Sequence, residues 1–81
     1  MTEQIRIRML QNVVPDLPFL AKSGTFLVGG KEYNAVCNSN GAISGECENG
    51  EYLGVKPGEF VLLSGPQWLI ELWRKEGYVA N

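Results

Sequence analysis

Histidine is absent from this sequence, so it lacks the commonest general base and the commonest metal ligand of proteins. Catalytic arrangements of the Ser-His or Cys-His kind are therefore excluded. The sequence also lacks any apolar run near the roughly 18–20 residues that a membrane-spanning helix requires. Charged residues near the N-terminus stand where a signal peptide would have its apolar region. We expect a cytoplasmic protein with no membrane association.

Basic residues and cysteines are few. Seven lysines and arginines stand against nine aspartates and glutamates, giving a net charge of −2 and no global positive field to attract nucleic acid. Depending on hairpin register, Cys37 and Cys47 are predicted to lie on opposite sheet faces or about 13 Å apart on one face. A disulfide needs Cα atoms within about 7 Å, so we expect free thiols in a reducing compartment.

Two Asn-Gly steps, Asn40-Gly41 and Asn49-Gly50, are the strongest structural signals that the sequence does contain. Both residue types tolerate the positive φ of tight turns, so each step predicts a hairpin and the pair predicts a three-stranded meander. At Asn40-Gly41 a two-residue and a three-residue loop give different registers. We favour the three-residue loop because it gathers the apolar side chains better. The face that it predicts comprises Tyr33, Ala35, Cys37, Ile43, Gly45, Cys47 and Tyr52.

The rest of the first 63 residues predicts further strands and one long loop. Alternation of apolar and polar residues predicts a first strand over residues 4–10, and a short apolar run predicts a last one over residues 60–63. Gly45 is expected opposite Gly54, at a point of strong curvature. Two prolines block regular pairing over residues 13–20, so we expect a loop there, then a turn at 21–25 and a short strand at 25–28. The side chains expected to fold from this loop onto the core are Val14, Leu17, Phe19 and Leu20.

The C-terminal segment changes to helical periodicity. Ser64 and Gln67 resemble a capping box, and the predicted helix runs over residues 66–76 and ends at Gly77. Trp68 and Trp73 are about 140° apart on such a helix, so one stripe cannot bury both against a small domain. We expect one of them to pack inward and the other to stay partly exposed. The inward one is expected to pack with Leu69 and Leu72.

The stretch VGGKEYNAV from Val28, followed by two hairpins and by LGVKPGEFV from Leu53, resembles small Src-homology-3-like (SH3-like) barrels of bacterial and prophage proteins. The resemblance covers roughly residues 4–63 and is specific for a barrel, not for an activity. It implies a mainly β, partly open antiparallel barrel of five or six strands, with one added C-terminal α-helix over residues 64–77. Ala35 and Cys37 are smaller than the residues usual in such barrels. We expect a single domain over residues 1–81.

Catalysis is not expected. Glu46, Glu48 and Glu51 flank one hairpin and could offer paired carboxylates, but we interpret them as solvated side chains at a hairpin tip. No phosphate-binding loop, EF-hand spacing or dinucleotide fingerprint is present. We therefore predict no catalytic residue, no metal site and no cofactor.

A binding module is the function that we predict, with a protein partner that is either a second copy of the chain or another protein. The resemblance to prophage proteins implies a host defence or regulatory protein as that partner. The predicted protein-binding residues are Trp68, Leu72, Trp73 and Tyr78. The alternative is a nucleic-acid-binding barrel, which ranks lower because the chain is acidic. Its residues would be Arg6, Arg8, Lys31 and Lys56.

Overall fold

A computed structural model describes residues 4–79 and contains five strands and two helices within them. The strands are β1 (Ile5–Met9), β2 (Glu32–Cys37), β3 (Ile43–Glu46), β4 (Tyr52–Val55) and β5 (Phe60–Ser64), and the helices are α1 (Pro18–Lys22) and α2 (Gln67–Lys75). Neighbouring strands are antiparallel in the order β4-β3-β2-β1-β5. The predicted fold class is confirmed: a mainly β, partly open SH3-like barrel with five strands and a C-terminal helix.

One apolar core lies inside the sheet and under α2. In β1 the predicted alternation holds, since Ile7 and Met9 are fully buried and Arg8 between them is exposed. Phe60 and Leu62 of β5 and Leu69 of α2 are also fully buried. Burying one such side chain contributes about 1.5–3 kcal/mol, so these few residues account for much of the stability of so small a domain.

The β2–β3 hairpin has the predicted register. Ala35 lies opposite Gly45 and Cys37 opposite Ile43, which requires a three-residue loop. The amide of Gly41 donates to the carbonyl oxygen of Asn38 over 3.0 Å, and Gly41 has a φ of 89°. That angle is costly for residues with a Cβ, so glycine suits the last loop position.

The β3–β4 hairpin differs from the prediction by one residue. Gly45 lies opposite Leu53, not Gly54, because residues 48–50 also form a three-residue loop. The predicted pairing of Gly45 with Gly54 requires a two-residue loop at the Asn49-Gly50 step, so that prediction was wrong. A shift of one residue turns every side chain of a strand to the other face. Tyr52, predicted to face inward, is therefore on the outer face with 51% of its surface exposed.

The long segment between β1 and β2 is anchored by one bridge. Val13 and Leu27 exchange two backbone hydrogen bonds of 2.9 Å, and Leu27 is fully buried. Helix α1 occupies part of the predicted loop and of the turn predicted at 21–25, and residues 25–28 contribute only the bridge. Leu20 is half-buried. The expectation that the other loop side chains fold onto the core was wrong for Val14, Leu17 and Phe19, which are exposed because Val13 and Leu27 take that place.

Helix α2 begins later than a capping box would place it. Ser64 belongs to β5, and Pro66 is the N-cap residue without a side-chain cap, so the predicted capping box was wrong. The predicted stop at Gly77 is confirmed by a φ of 84°. The amide of Gly77 donates to Arg74 and that of Tyr78 to Trp73, each over 3.0 Å, which is the Schellman pattern.

The residues after α2 return to the sheet. The amide of Leu62 donates to the carbonyl oxygen of Tyr78 over 2.7 Å, and Leu62 forms a parallel bridge with Val79. This contact covers part of the edge of β5 and so limits pairing with another chain there. Within residues 4–79, neither helix has the length and apolar character needed to cross a membrane.

Candidate protein-binding face

Trp73 fixes α2 to the barrel. Its indole N–H donates to the carbonyl oxygen of Gly41 over 2.9 Å, and the side chain is only 9% exposed. The rings of Phe60 and Tyr78 lie edge-to-face against it, with centroids 5.2 Å and 5.9 Å away. Such pairs add about 0.5–1.5 kcal/mol each beyond the area that they bury. The helix therefore has a well-defined position on the β2–β3 turn.

Trp68 lies on the other side of the helix and is exposed. It has 48% of its surface accessible, so the prediction that one tryptophan is buried and one exposed is confirmed. Leu69 packs inward as predicted and is fully buried. Leu72 was predicted to pack inward too, but it is 38% exposed, with its tip lying over Gly41.

A cleft separates this side of α2 from the β2–β3 turn. It has a volume of about 630 Å³, and we call it the helix cleft. Arg74 and Lys75 lie on its rim and form no ion pair within residues 4–79, whereas the carboxylate of Glu71 accepts a hydrogen bond from Gln67 over 3.1 Å. The rim thus carries more positive than negative charge. The lining residues are Ser39, Asn40, Trp68, Glu71, Leu72, Arg74 and Lys75.

Trp68 also lines a second depression. It measures about 480 Å³ and reaches across β1 and β2 to Pro66. Val36 lines it and is 46% exposed. We call the continuous surface of Val36, Trp68 and Leu72 the Trp68 face. Trp68 forms a ridge between two hollows on it.

The structure divides the predicted protein-binding residues into two kinds. Trp68 and Leu72 are accessible, while Trp73 is buried and Tyr78 half-buried, so the latter two position the helix. Sequence reasoning did not include Val36. Its signal was the alternation of β2, in which Tyr33 and Ala35 face inward and Val36 must therefore face outward.

The residues of the nucleic-acid alternative are largely paired with acidic side chains. Arg6 and Arg8 lie 3.6 Å and 3.4 Å from the two carboxylate oxygens of Glu32. Lys31 lies 3.7 Å from Glu48. Lys56 is exposed in the β4–β5 turn. The charge that two neighbouring arginines would offer to phosphates is thus reduced by the carboxylate between them.

The side chains that could bind a metal ion or act as nucleophiles do not form a site in the described part of the chain. Within the described part of the chain, no three His, Cys, Asp or Glu side chains are placed to hold a metal ion. Cys37 and Cys47 are free thiols, as predicted. Burial raises the pKa of the Cys47 thiol, and the nearby charge of Glu51 raises it further. A thiol in that state is a poor nucleophile at neutral pH.

A second group of exposed apolar side chains lies between the end of β1 and the first turn of α1. Phe19 is 63% exposed and Val14 64%. Leu10 and Leu17 are exposed to a similar extent, at 53% and 52%. A cleft at Val13–Asp16 adjoins this segment, and its lining is more polar than that of the helix cleft.

No family model, curated protein or solved structure matches this chain.

Proposed function

We propose that this protein is a non-catalytic binding module that takes a protein partner on the Trp68 face. The observation that carries the proposal is the exposure of Trp68 on a rigidly held helix. The core of this domain of 81 residues is small, so burial of one more large apolar side chain would add noticeably to its stability. Trp68 nevertheless leaves 48% of its surface accessible, where a partner could bury it.

The surroundings of Trp68 support this role. Tryptophan is among the residues most enriched at the energetic centres of protein interfaces. Here it stands between two hollows that can receive partner side chains. Because Trp73 holds the helix to Gly41, little ordering of the backbone would be required on binding.

The chemistry of the rim indicates the kind of partner. Arg74 and Lys75 border the helix cleft and are unpaired within residues 4–79. An apolar segment flanked by carboxylates complements that surface. The resemblance to prophage SH3-like proteins extends the proposal to a bacterial host protein as the partner in the cytoplasm. A second copy of the chain and nucleic acid are the alternatives that the experiment separates.

The test compares capture of partners from bacterial lysate by four forms of the tagged protein. They are the unchanged chain, Trp68→Ser, Leu72→Ser and the control Phe19→Ser, which removes from α1 an apolar side chain more exposed than either of the other two. Captured proteins are identified by mass spectrometry at low and moderate salt, and light scattering after size exclusion measures self-association. Urea unfolding verifies that each variant is folded.

We expect the unchanged chain and Phe19→Ser to capture a protein at moderate salt. In Trp68→Ser and Leu72→Ser the captured amount should fall by at least about tenfold, because truncating a residue at the centre of an interface typically costs over about 1.4 kcal/mol of binding free energy. A dimer lost in the same two variants supports the face with a second copy as its occupant. Capture of nucleic acid alone contradicts the proposal. The proposal is also contradicted if the protein is a monomer and Trp68→Ser still captures the same partner.

A further inference from the structure

The two Asn-Gly turns have the same backbone but different side-chain surroundings. Gly41 and Gly50 have φ angles of 89° and 87°, and each amide donates over 3.0 Å to the residue three positions earlier. Asn40 and Asn49 are both exposed, and neither has a positive φ. The turns differ at two places: Gly41 is buried and its carbonyl oxygen accepts from Trp73 whereas Gly50 is exposed, and the two asparagine side chains have different partners.

The side chain of Asn49 is held by three hydrogen bonds. Its Nδ2 donates to the carbonyl oxygen of Ser23 over 3.1 Å and to Oγ1 of Thr25 over 2.9 Å. Its Oδ1 accepts from the amide of Glu51 over 3.1 Å. Thr25 is itself 5% exposed, so this anchor is fixed.

The side chain of Asn40 has no hydrogen bond within residues 4–79. In that turn the neighbouring residue Asn38 provides the side-chain contacts, since its Oδ1 accepts from the amides of Asn40 and Ala42 over 2.9 Å and 3.1 Å. The amide group of Asn40 is thus free to rotate toward the nitrogen of Gly41.

We propose that Asn40 is a site of spontaneous deamidation and that Asn49 is protected from it. The deprotonated backbone nitrogen of Gly41 attacks Cγ of Asn40, forming a C–N bond and a five-membered succinimide. The Cγ–Nδ2 bond breaks, and the nitrogen leaves as ammonia with protons taken from water. Water then opens the ring. Cleavage at Cγ gives aspartate, and cleavage at the main-chain carbonyl gives isoaspartate linked through its side chain.

The glycine on the C-terminal side is what makes this step accessible, because no Cβ hinders the attacking nitrogen. At Asn49 the same attack requires the side chain to leave its three hydrogen bonds. Each is worth a few-fold in an equilibrium, so together they slow the reaction by roughly tenfold or more. The side chain of Asn40 has no such bonds to leave. The hydrogen bond of Gly41 to Asn38 has to open, as the equivalent bond of Gly50 to Cys47 does, and the bond of Trp73 to the Gly41 carbonyl oxygen restrains the turn.

The product changes the helix cleft. Asn40 lines that cleft beside Leu72, Arg74 and Lys75, so deamidation adds a carboxylate where the two cations are unpaired. Isoaspartate also lengthens the backbone of the turn whose Gly41 carbonyl oxygen accepts from Trp73. This modification would alter a surface used in the proposed function, but it does not depend on that function.

The experiment follows the folded protein for several weeks in mildly alkaline buffer near body temperature. Peptide mapping by mass spectrometry measures the conversion of amide to acid at each asparagine, and an isoaspartate-specific methylation assay identifies the linkage. The same measurement in guanidinium chloride gives the deamidation rates of both asparagines in the unfolded chain. Thr25→Val removes one acceptor of Asn49 while conserving volume, and Asn40→Gln replaces the reactive residue with one that closes its ring far more slowly.

In the folded chain we expect Asn40 to convert roughly tenfold faster than Asn49, and in guanidinium chloride we expect comparable rates at both. Thr25→Val is expected to speed conversion of Asn49 about threefold and to leave Asn40 unchanged. Asn40→Gln should remove the fast phase. Equal rates in the folded state, faster conversion at Asn49, or no conversion at Asn40 would each overturn the proposal. An unchanged rate at Asn49 in folded Thr25→Val would overturn the explanation by hydrogen bonds.

Discussion

The indole N–H of Trp73 donates to the carbonyl oxygen of Gly41, 32 residues earlier in the chain, over 2.9 Å. This bond joins the C-terminal helix to the turn between β2 and β3. The bond is buried. If the turn moved, no water molecule could take the place of the carbonyl oxygen as acceptor of the indole N–H. The position of α2, and with it the Trp68 face, therefore depends on the conformation of one turn.

Trp73→Phe is expected to destabilise the protein by about 2 kcal/mol, since it removes this hydrogen bond and part of the edge-to-face packing with Phe60. Trp68→Phe is the matched control and should change the free energy of unfolding by less than about 0.5 kcal/mol. Urea unfolding followed by circular dichroism measures both. Equal losses in the two variants would contradict the assignment of Trp73 as the structural tryptophan.

Two strand glycines should respond to alanine in opposite directions. A Cβ on Gly45 would lie 3.0 Å from Leu27 and 3.3 Å from Ile7, both fully buried, so Gly45→Ala overpacks the core. We expect a loss of about 1–2 kcal/mol. A Cβ on Gly54 meets nothing within 4 Å, and its φ is not positive, so Gly54→Ala should gain about 0.5 kcal/mol.

Thermal and urea unfolding of the two variants check this pair. The result also tests the register of β3 and β4, because Gly45 faces the core and Gly54 the outside only if Gly45 lies opposite Leu53. Destabilisation by both alanines would indicate that the two glycines share a crowded face, as they would if Gly45 lay opposite Gly54.

The sequence predicted the fold because its signals are local. Alternation in β1 and glycines able to adopt positive φ in both turns each define structure over a few residues. The register of the second hairpin could not be predicted in the same way. An Asn-Gly step fits loops of two or three residues, and Tyr52 and Leu53 are both apolar enough to face inward.

The candidate site was predictable in part for the same reason. Helical geometry alone requires that Trp68 and Trp73 cannot both be buried in one stripe. It cannot determine which one is buried, since Leu69 and Leu72 flank both. That choice depends on the contact of Trp73 with Gly41, between residues far apart in the chain. The segment between β1 and β2 lacks any periodicity, so nothing in it indicated which side chains face the core, and the prediction that Phe19 does was wrong.

The ion pairs of Glu32 predict weak interaction with nucleic acid. Arg6 and Arg8 each lie within 4 Å of this carboxylate and are partly exposed, so Glu32→Gln should change stability by less than about 1 kcal/mol. It should also raise retention of the protein by a single-stranded oligonucleotide at low salt, because both arginines become unpaired. Fluorescence anisotropy over a salt series measures this. Tight binding by the unchanged chain, with a steep salt dependence, would favour the nucleic-acid alternative instead.

The buried thiol of Cys47 predicts a loss of stability in alkaline solution. Burial raises its pKa in the folded state, and Glu51 raises it further, so the folded protein holds the thiol proton at pH values where the unfolded chain has released it. Stability linked to this group is complete below the ordinary thiol pKa and falls as the pH rises from there toward the raised value. Cys47→Ala should remove that decline, at a cost of about 1 kcal/mol at neutral pH for the lost sulfur.

The measurement is urea unfolding at neutral and alkaline pH, with and without Cys47→Ala, in a Cys37→Ala background that leaves a single thiol. The difference in unfolding free energy between the two proteins should shrink as the pH rises, because only the protein with Cys47 has a thiol that the folded state keeps protonated. The two proteins differ only at residue 47, so the contributions of the rest of the chain cancel in the difference. A constant or growing difference would mean that Cys47 releases its proton as readily in the barrel as in the unfolded chain, and that the side chain is not enclosed by the core.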